Sequence, residues 1–153
     1  MRIVLVNPEI PGNTGSIGRL CAATSTPLWL VEPLGFSLED RYLKRAGLDY
    51  WPWIDLSVVD HWRKALLPRA TTGRTWLFTA HAERSYVDAG FGPDDTLVFG
   101  RESVGLPAEV LDAFPAEQRL RIPMVTTHVR SLNLSQCAAI ALYEARRQAG
   151  MLG

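Results

Sequence analysis

The chain has 153 residues, 47% of them hydrophobic, and its 16 Lys and Arg balance 16 Asp and Glu. That length suits one domain, whose core buries roughly 70% of the unfolded surface. Zero net charge argues against whole-surface attraction to nucleic acid, and no apolar run approaches the ~20 residues of a membrane span. The N-terminus opens directly on a strand pattern without a basic-then-apolar leader, so a cytoplasmic location without a signal peptide is expected. Cys21 and Cys137 lack Cys-x-x-Cys spacing, and His61, His81 and His128 are dispersed. Two reduced thiols and no metal site are therefore expected.

In chain order, strands are expected over 2–6, 28–31, 56–59, 75–79, 96–99 and 119–122. Helices are expected over 15–24, 38–46, 60–67, 108–114 and 133–149. Val-, Leu- and Phe-rich strands alternating with helices imply an α/β domain with a mainly parallel six-stranded sheet flanked by helices, spanning 1–153. Residues 80–95, with Gly90, Gly92, Pro93 and paired aspartates, read as a mobile loop with one helical turn.

Three strand–loop–helix junctions concentrate polar and glycine residues. The first runs from Asn7 through Pro8, Pro11, Gly12, Asn13 and Gly15 into a helix carrying Arg19. No Gly-x-Gly-x-x-Gly follows the first strand, so a plain dinucleotide fingerprint is absent. The second is Phe99-Gly-Arg-Glu102, then Gly105-Leu-Pro107. In the third a strand stops at Ile122-Pro-Met124, and a helix opens on Ser131, Asn133 and Ser135, each able to cap it. Loops at the carboxyl ends of strands are where open α/β folds place ligands.

Between the first and second junctions, Arg41, Lys44 and Arg45 fall at i, i+3 and i+4 on a helix that Ser37 can cap and Gly47 can end. Such a cluster is ordinarily a solvated face. Of the 16 basic residues only Lys44 and Lys64 are lysines. The arginine excess favours bidentate phosphate contacts, although genome composition explains it equally well. Trp51 and Trp53 lie close by in sequence and offer rings for stacking a base, against the commoner reading of burial. In the last helix Ala138, Ala139, Ala141, Ala145 and Ala149 give a small-residue face that suits either close helix approach in an oligomer or packing within the monomer.

Asn13-Thr-Gly15 with Arg19, Phe99-Gly-Arg-Glu102 with Gly105-Leu-Pro107, and Ile122-Pro-Met124 with Ser131-Leu-Asn-Leu-Ser135 resemble the three motifs of the SPOUT (SpoU–TrmD) RNA methyltransferases. Within that superfamily the chain resembles the short tRNA wobble-nucleotide 2′-O-methyltransferases of the TrmL/YibK type. Glu32-Pro-Leu-Gly-Phe36, Lys44-Arg-Ala-Gly-Leu-Asp-Tyr50 and Leu111-Asp-Ala-Phe-Pro-Ala-Glu-Gln118 extend the likeness over essentially the whole chain. The sequence departs from that type at Gly12, where a second proline is usual, at Ser16, where asparagine is usual, and in a loop over 125–130 one residue longer.

The resemblance implies a C-terminal deep trefoil knot whose loops wrap S-adenosylmethionine. By matched position Phe78, Thr79, Gly100, Glu102, Leu106, Ile122, Met124, Ser131, Leu132 and Asn133 would form the cofactor site, largely through backbone atoms. Glu102 could equally brace a loop through a backbone N–H. Arg19, Asn13 and Ser135 would be catalytic, and Arg41, Lys44 and Arg45 would bind tRNA. The motif arginine is assigned as base in the family. A guanidinium gives up its proton only at high cost, which makes it at least as good an orienter of phosphate and stabiliser of alkoxide, with a phosphate oxygen or water taking the proton. The resemblance also implies a homodimer through the knot region and last helix, with Arg19 of one subunit serving the other's pocket. Methylation of another tRNA or rRNA ribose, and a non-catalytic cofactor- or RNA-binding module, are the alternatives.

Overall fold

The computed structural model describes residues 1–41, 43, 45, 49–67 and 72–153. Among them, β1 (Arg2–Val6), β2 (Leu28–Val31), β3 (Leu56–Val59), β4 (Thr75–Phe78), β5 (Thr96–Phe99) and β6 (Arg119–Leu120) form one parallel sheet in the order β3-β2-β1-β5-β4-β6. Side chains alternate across the pleat. Ile3, Leu5, Leu28, Leu30, Leu97 and Phe99 therefore face one side, where α1 (Pro11–Thr24) and α4 (Leu134–Gln148) bring Ile17, Cys21, Ala138, Ala141, Leu142 and Ala145. Val4, Val6, Val31, Leu77 and Val98 face the other side and meet α2 (Trp62–Leu66) and α3 (Ala108–Asp112) through Trp62, Ala65, Leu66 and Val110.

This order places the site. From β1 the chain steps outward through β2 to β3; β5, β4 and β6 lie on the other side of β1. The carboxyl ends of β1 and β5 are thus neighbours, Leu5 opposite Phe99, and their loops leave the sheet in opposite senses. A crevice at such a switch point is the usual ligand position in an open parallel sheet.

Several expected boundaries shift for identifiable reasons. α1 begins at Pro11 rather than 15, because proline's fixed φ and missing N–H suit the first helical turn. The sixth strand stops at Leu120 rather than 122; Arg121 instead bridges Ser85, and Pro123 has no N–H to extend a ladder. β4 ends one residue early at Phe78, and α3 stops at Asp112. α2 starts at Trp62, not 60, with the His61 ring nitrogen accepting from the Arg63 N–H, while Asp60 pairs with Lys64. Asn133 caps α4 rather than opening it, and the helix ends at Gln148.

The expected helix over 38–46 is only partly described. Ser37 Oγ accepts from the Glu39 N–H, and Arg41, Leu43 and Arg45 are helical. Tyr42, Lys44 and Ala46 lie outside the described residues, as does Gly47. The stretch 80–95 does contain one turn, Tyr86–Asp88, but it is anchored rather than loose. Ala89 and Phe91 are buried in the core, and the Tyr86 N–H donates to the Arg121 carbonyl.

Candidate active site

The loop after β1 and the loop after β5 are cross-linked by two glutamates. Glu102 accepts from the Glu9 N–H at 2.8 Å and the Ile10 N–H at 3.1 Å. In return Glu9 accepts from the Ser103 N–H at 3.0 Å and the Ser103 hydroxyl at 2.9 Å. Those bonds hold the Glu9 carboxyl below its ordinary value, the hydroxyl contributing most.

From this clamp a polar relay crosses to the third junction. Asn13, 7% exposed, donates its amide to Glu102 at 3.3 Å. Its Oδ1 accepts from Asn133 Nδ2 at 3.0 Å, and Asn133 Oδ1 accepts from both the N–H and the hydroxyl of Ser135, at 2.9 and 2.6 Å. Glu102, Asn13, Asn133 and Ser135 thus tie together all three junctions through partners about ninety or more residues apart in sequence.

The second loop is unusually tight. Arg101 and Gly105 exchange two backbone hydrogen bonds, of 3.1 and 2.9 Å, and Gly105 has φ +75. A Cβ on Gly100 would stand 2.2 Å from Gly105 and Leu106 backbone atoms. Only glycine fits beneath that turn, so Gly100 is needed for loop closure whatever it contacts. Phe78 is buried and stacks on Phe99 with centroids 4.7 Å apart. Leu106 is buried against the second core face. The side chains of both are committed to packing, and Phe78 is also paired with Leu120 in the β4–β6 ladder. The Thr79 N–H is taken by the Leu120 carbonyl.

The third loop is different. Ile122 packs against the core edge, Leu132 is half-buried, and Met124 and Ser131 are exposed. No backbone–backbone hydrogen bond engages 122–132 among the described residues. The His128 N–H is taken by the Thr126 hydroxyl and the Leu132 carbonyl accepts from Cys137 Sγ. The remaining N–H and C=O groups beside apolar Ile122, Met124 and Leu132 are a donor and acceptor set that fits an adenosyl ligand, with apolar side chains for a purine and backbone groups for its edges. An open cleft of about 560 Å³, lined by Glu32, Pro33, Leu34, Phe36, Ser37, Leu38 and Asp60, lies at the carboxyl ends of β2 and β3.

Arg19 is not part of the relay. It is exposed on α1, with its guanidinium over the Tyr50 ring. It stands six helical steps from Asn13, roughly 9 Å along the axis and about 120° around it. Arg41 and Arg45 are exposed as well; Lys44 lies outside the described residues. The alanine face of α4 is spent inside the monomer, since Ala138, Ala141 and Ala145 are fully buried. The outward stripe is Gln136, Ile140, Tyr143 and Arg147, with Ile140 and Tyr143 exposed. The clamp partner Glu9 is missed by sequence reasoning. Its only signal is an acid just before a helix start, which points to no partner on a distant loop.

Among the described residues no group of three or more His, Cys, Asp or Glu could hold a metal, and no helix is long and apolar enough to cross a membrane. Burial pushes the Cys21 thiol up to about 12 and raises that of Cys137.

Residues 1–143 match the SpoU rRNA Methylase family. A tRNA (cytidine(34)-2′-O)-methyltransferase from Burkholderia ambifaria is 47% identical over 152 residues, covering 99% of this chain and 97% of that protein. A protein of the same name from Methylovorus glucosotrophus is 48% identical over 151 residues, covering 99% and 97%. A solved structure concerned with 2-OH methylation of C/U34 on tRNA superposes with a TM-score of 0.89 at 48% identity, covering 96% of this chain and 94% of that one. The SpoU methyltransferase AviRb from Streptomyces viridochromogenes, solved with AdoMet, shares the fold at 24% identity and a TM-score of 0.82, covering 97% and 60%. With the parallel sheet, the three joined loops and this full-length likeness in place, the chain belongs to the SpoU methylase family.

Proposed function

We propose that the chain is an S-adenosylmethionine-dependent methyltransferase acting on the ribose 2′-OH of the tRNA wobble nucleotide, cytidine or uridine at position 34. The observation that carries this reading is the relay Glu102–Asn13–Asn133–Ser135, which builds one site from three loops at the β1/β5 switch point. Relatives at 47–48% identity over nearly their whole length bear that activity in their names. Residues 1–153 act as one domain.

Bound S-adenosylmethionine supplies an electrophilic methyl carbon. Ile122, Met124 and Leu132 would flank its adenine, and backbone groups of Gly100, Leu106 and 122–132 would hold its polar edges, those of Thr79 being engaged by Leu120 and Ala82. Asn133 and Glu102 serve this pocket by fixing its walls. Asn13 and Ser135 position the ribose. Transfer forms the O2′–C bond, breaks the S–C bond and releases the hydroxyl proton. Arg19 orients the adjacent phosphate and stabilises the developing alkoxide, while a phosphate oxygen or water takes the proton; a permanently charged guanidinium is poorly suited to be the base.

Arg19 points away from the relay of its own chain, which supports a homodimer in which it reaches the partner's pocket. The exposed Ile140 and Tyr143 stripe of α4 is the face we assign to that contact. The C-terminal third is assigned a trefoil knot. In its support, the chain leaves edge strand β6 and must pass the carboxyl ends of β4 and β5 before α4 packs beside α1.

The test is a tRNA substrate carrying a single 2′-deoxy substitution at nucleotide 34. The wild-type protein should methylate the ribo form and leave the deoxy form unmodified. Equal labelling of both would place the target elsewhere.

A further inference from the structure

We propose that Tyr50 is a positioning residue for catalysis, holding Arg19 ready for the RNA backbone; this rests on the assignment of Arg19 to the substrate. The guanidinium carbon of Arg19 lies 4.7 Å from the centroid of the Tyr50 ring. A guanidinium carries five N–H donors in its plane, and none is consumed by a π contact. No hydrogen bond or ion pair engages the Arg19 guanidinium among the described residues. The cation is therefore localised while its whole donor fork remains open, which is the state required to grip two phosphate oxygens at once.

The seat of the ring is built for this approach. Tyr50 begins the short turn Trp51–Trp53, its carbonyl accepting from the Trp53 N–H at 2.9 Å, and the Ile54 N–H closes onto the Trp51 carbonyl at 3.2 Å. The turn presses on α1 at Gly18. A Cβ there would stand 2.8 Å from Ile54 Cδ1 and 3.8 Å from the Trp51 ring. Gly18 thus admits the turn, and the turn delivers Tyr50 to the neighbouring residue, Arg19. Without the ring, an exposed arginine spreads over many rotamers, and ordering it would oppose each turnover.

Steady-state kinetics with tRNA test the proposal. Tyr50→Phe, which keeps the π face, should stay within about twofold of wild-type kcat. Tyr50→Leu should lower kcat about three- to tenfold, the scale of a partly solvated cation–π contact, with S-adenosylhomocysteine affinity unchanged. Replacing residue 50 by phenylalanines bearing one, two and three fluorines weakens the π face at nearly constant shape. Across that series kcat should fall stepwise while the melting temperature holds. Full kcat in Tyr50→Leu, or a flat fluorine series, overturns the proposal. If Arg19→Ala itself stays active, the assignment of Arg19 fails and the proposal with it. If the wild-type protein leaves tRNA unmethylated, the reaction is wrong.

Discussion

Glu102 and Glu9 lock the loops after β1 and β5 to each other. Each accepts hydrogen bonds from the other's loop, and Glu102 also carries the relay to Asn13. Glu102→Ala would leave two backbone N–H groups and the Asn13 amide without an acceptor. A loss of about 1–2 kcal/mol is expected in denaturant unfolding, with weaker S-adenosylhomocysteine binding. Unchanged stability and binding would mean that water replaces the carboxylate at no cost. Glu9 adds a pH signature. Its folded pKa is lowered from 4.5, chiefly by the Ser103 hydroxyl, so its contribution is complete above that value and is lost as pH falls through the lower, folded one. The difference in melting temperature between wild type and Glu9→Gln should therefore shrink as pH drops below about 4.5. A difference independent of pH would contradict the clamp.

At the scale of elements, the strands were legible because both faces of the sheet are covered, which demands continuous apolar runs such as Ile3–Val6 and Leu97–Phe99. Helix starts were less legible. Pro8, Pro11 and Gly12 read as loop breakers, yet Pro11 suits a first helical turn, and a Cβ on Gly12 would meet nothing within 4 Å. The alanine face of α4 left monomer and oligomer packing equally open, and only its packing on α1 and the sheet decides where it points. The segment with Arg41 and Arg45 presents both arginines to solvent. In a chain of zero net charge, tRNA affinity is expected to depend on a few such local cations. Arg41→Ala with Arg45→Ala should weaken tRNA binding and leave S-adenosylhomocysteine binding intact. The log–log salt slope should fall by roughly 0.7 to 0.9 for each phosphate that is no longer neutralised. Unaltered binding across a salt series would reduce this face to a solvated one.

For the molecule as a whole, motif residues Asn13, Glu102, Asn133 and Ser135 could be named from sequence, but not the order in which they bond. Hydrogen bonds spanning 89 and 120 residues leave no periodic trace in the chain. The outward turn of Arg19, about 120° from Asn13, is likewise invisible until α1 is known to run unbroken from Pro11. One relay joins three loops, and one arginine of α1 faces away from it. The most direct measurement is to incubate total tRNA with the protein and methyl-labelled cofactor, then map the label by nucleotide. Label is expected on the 2′-oxygen of nucleotide 34 in a subset of tRNAs, and none with Arg19→Ala. Label on a base, at another ribose, or only in ribosomal RNA would contradict wobble-ribose methylation.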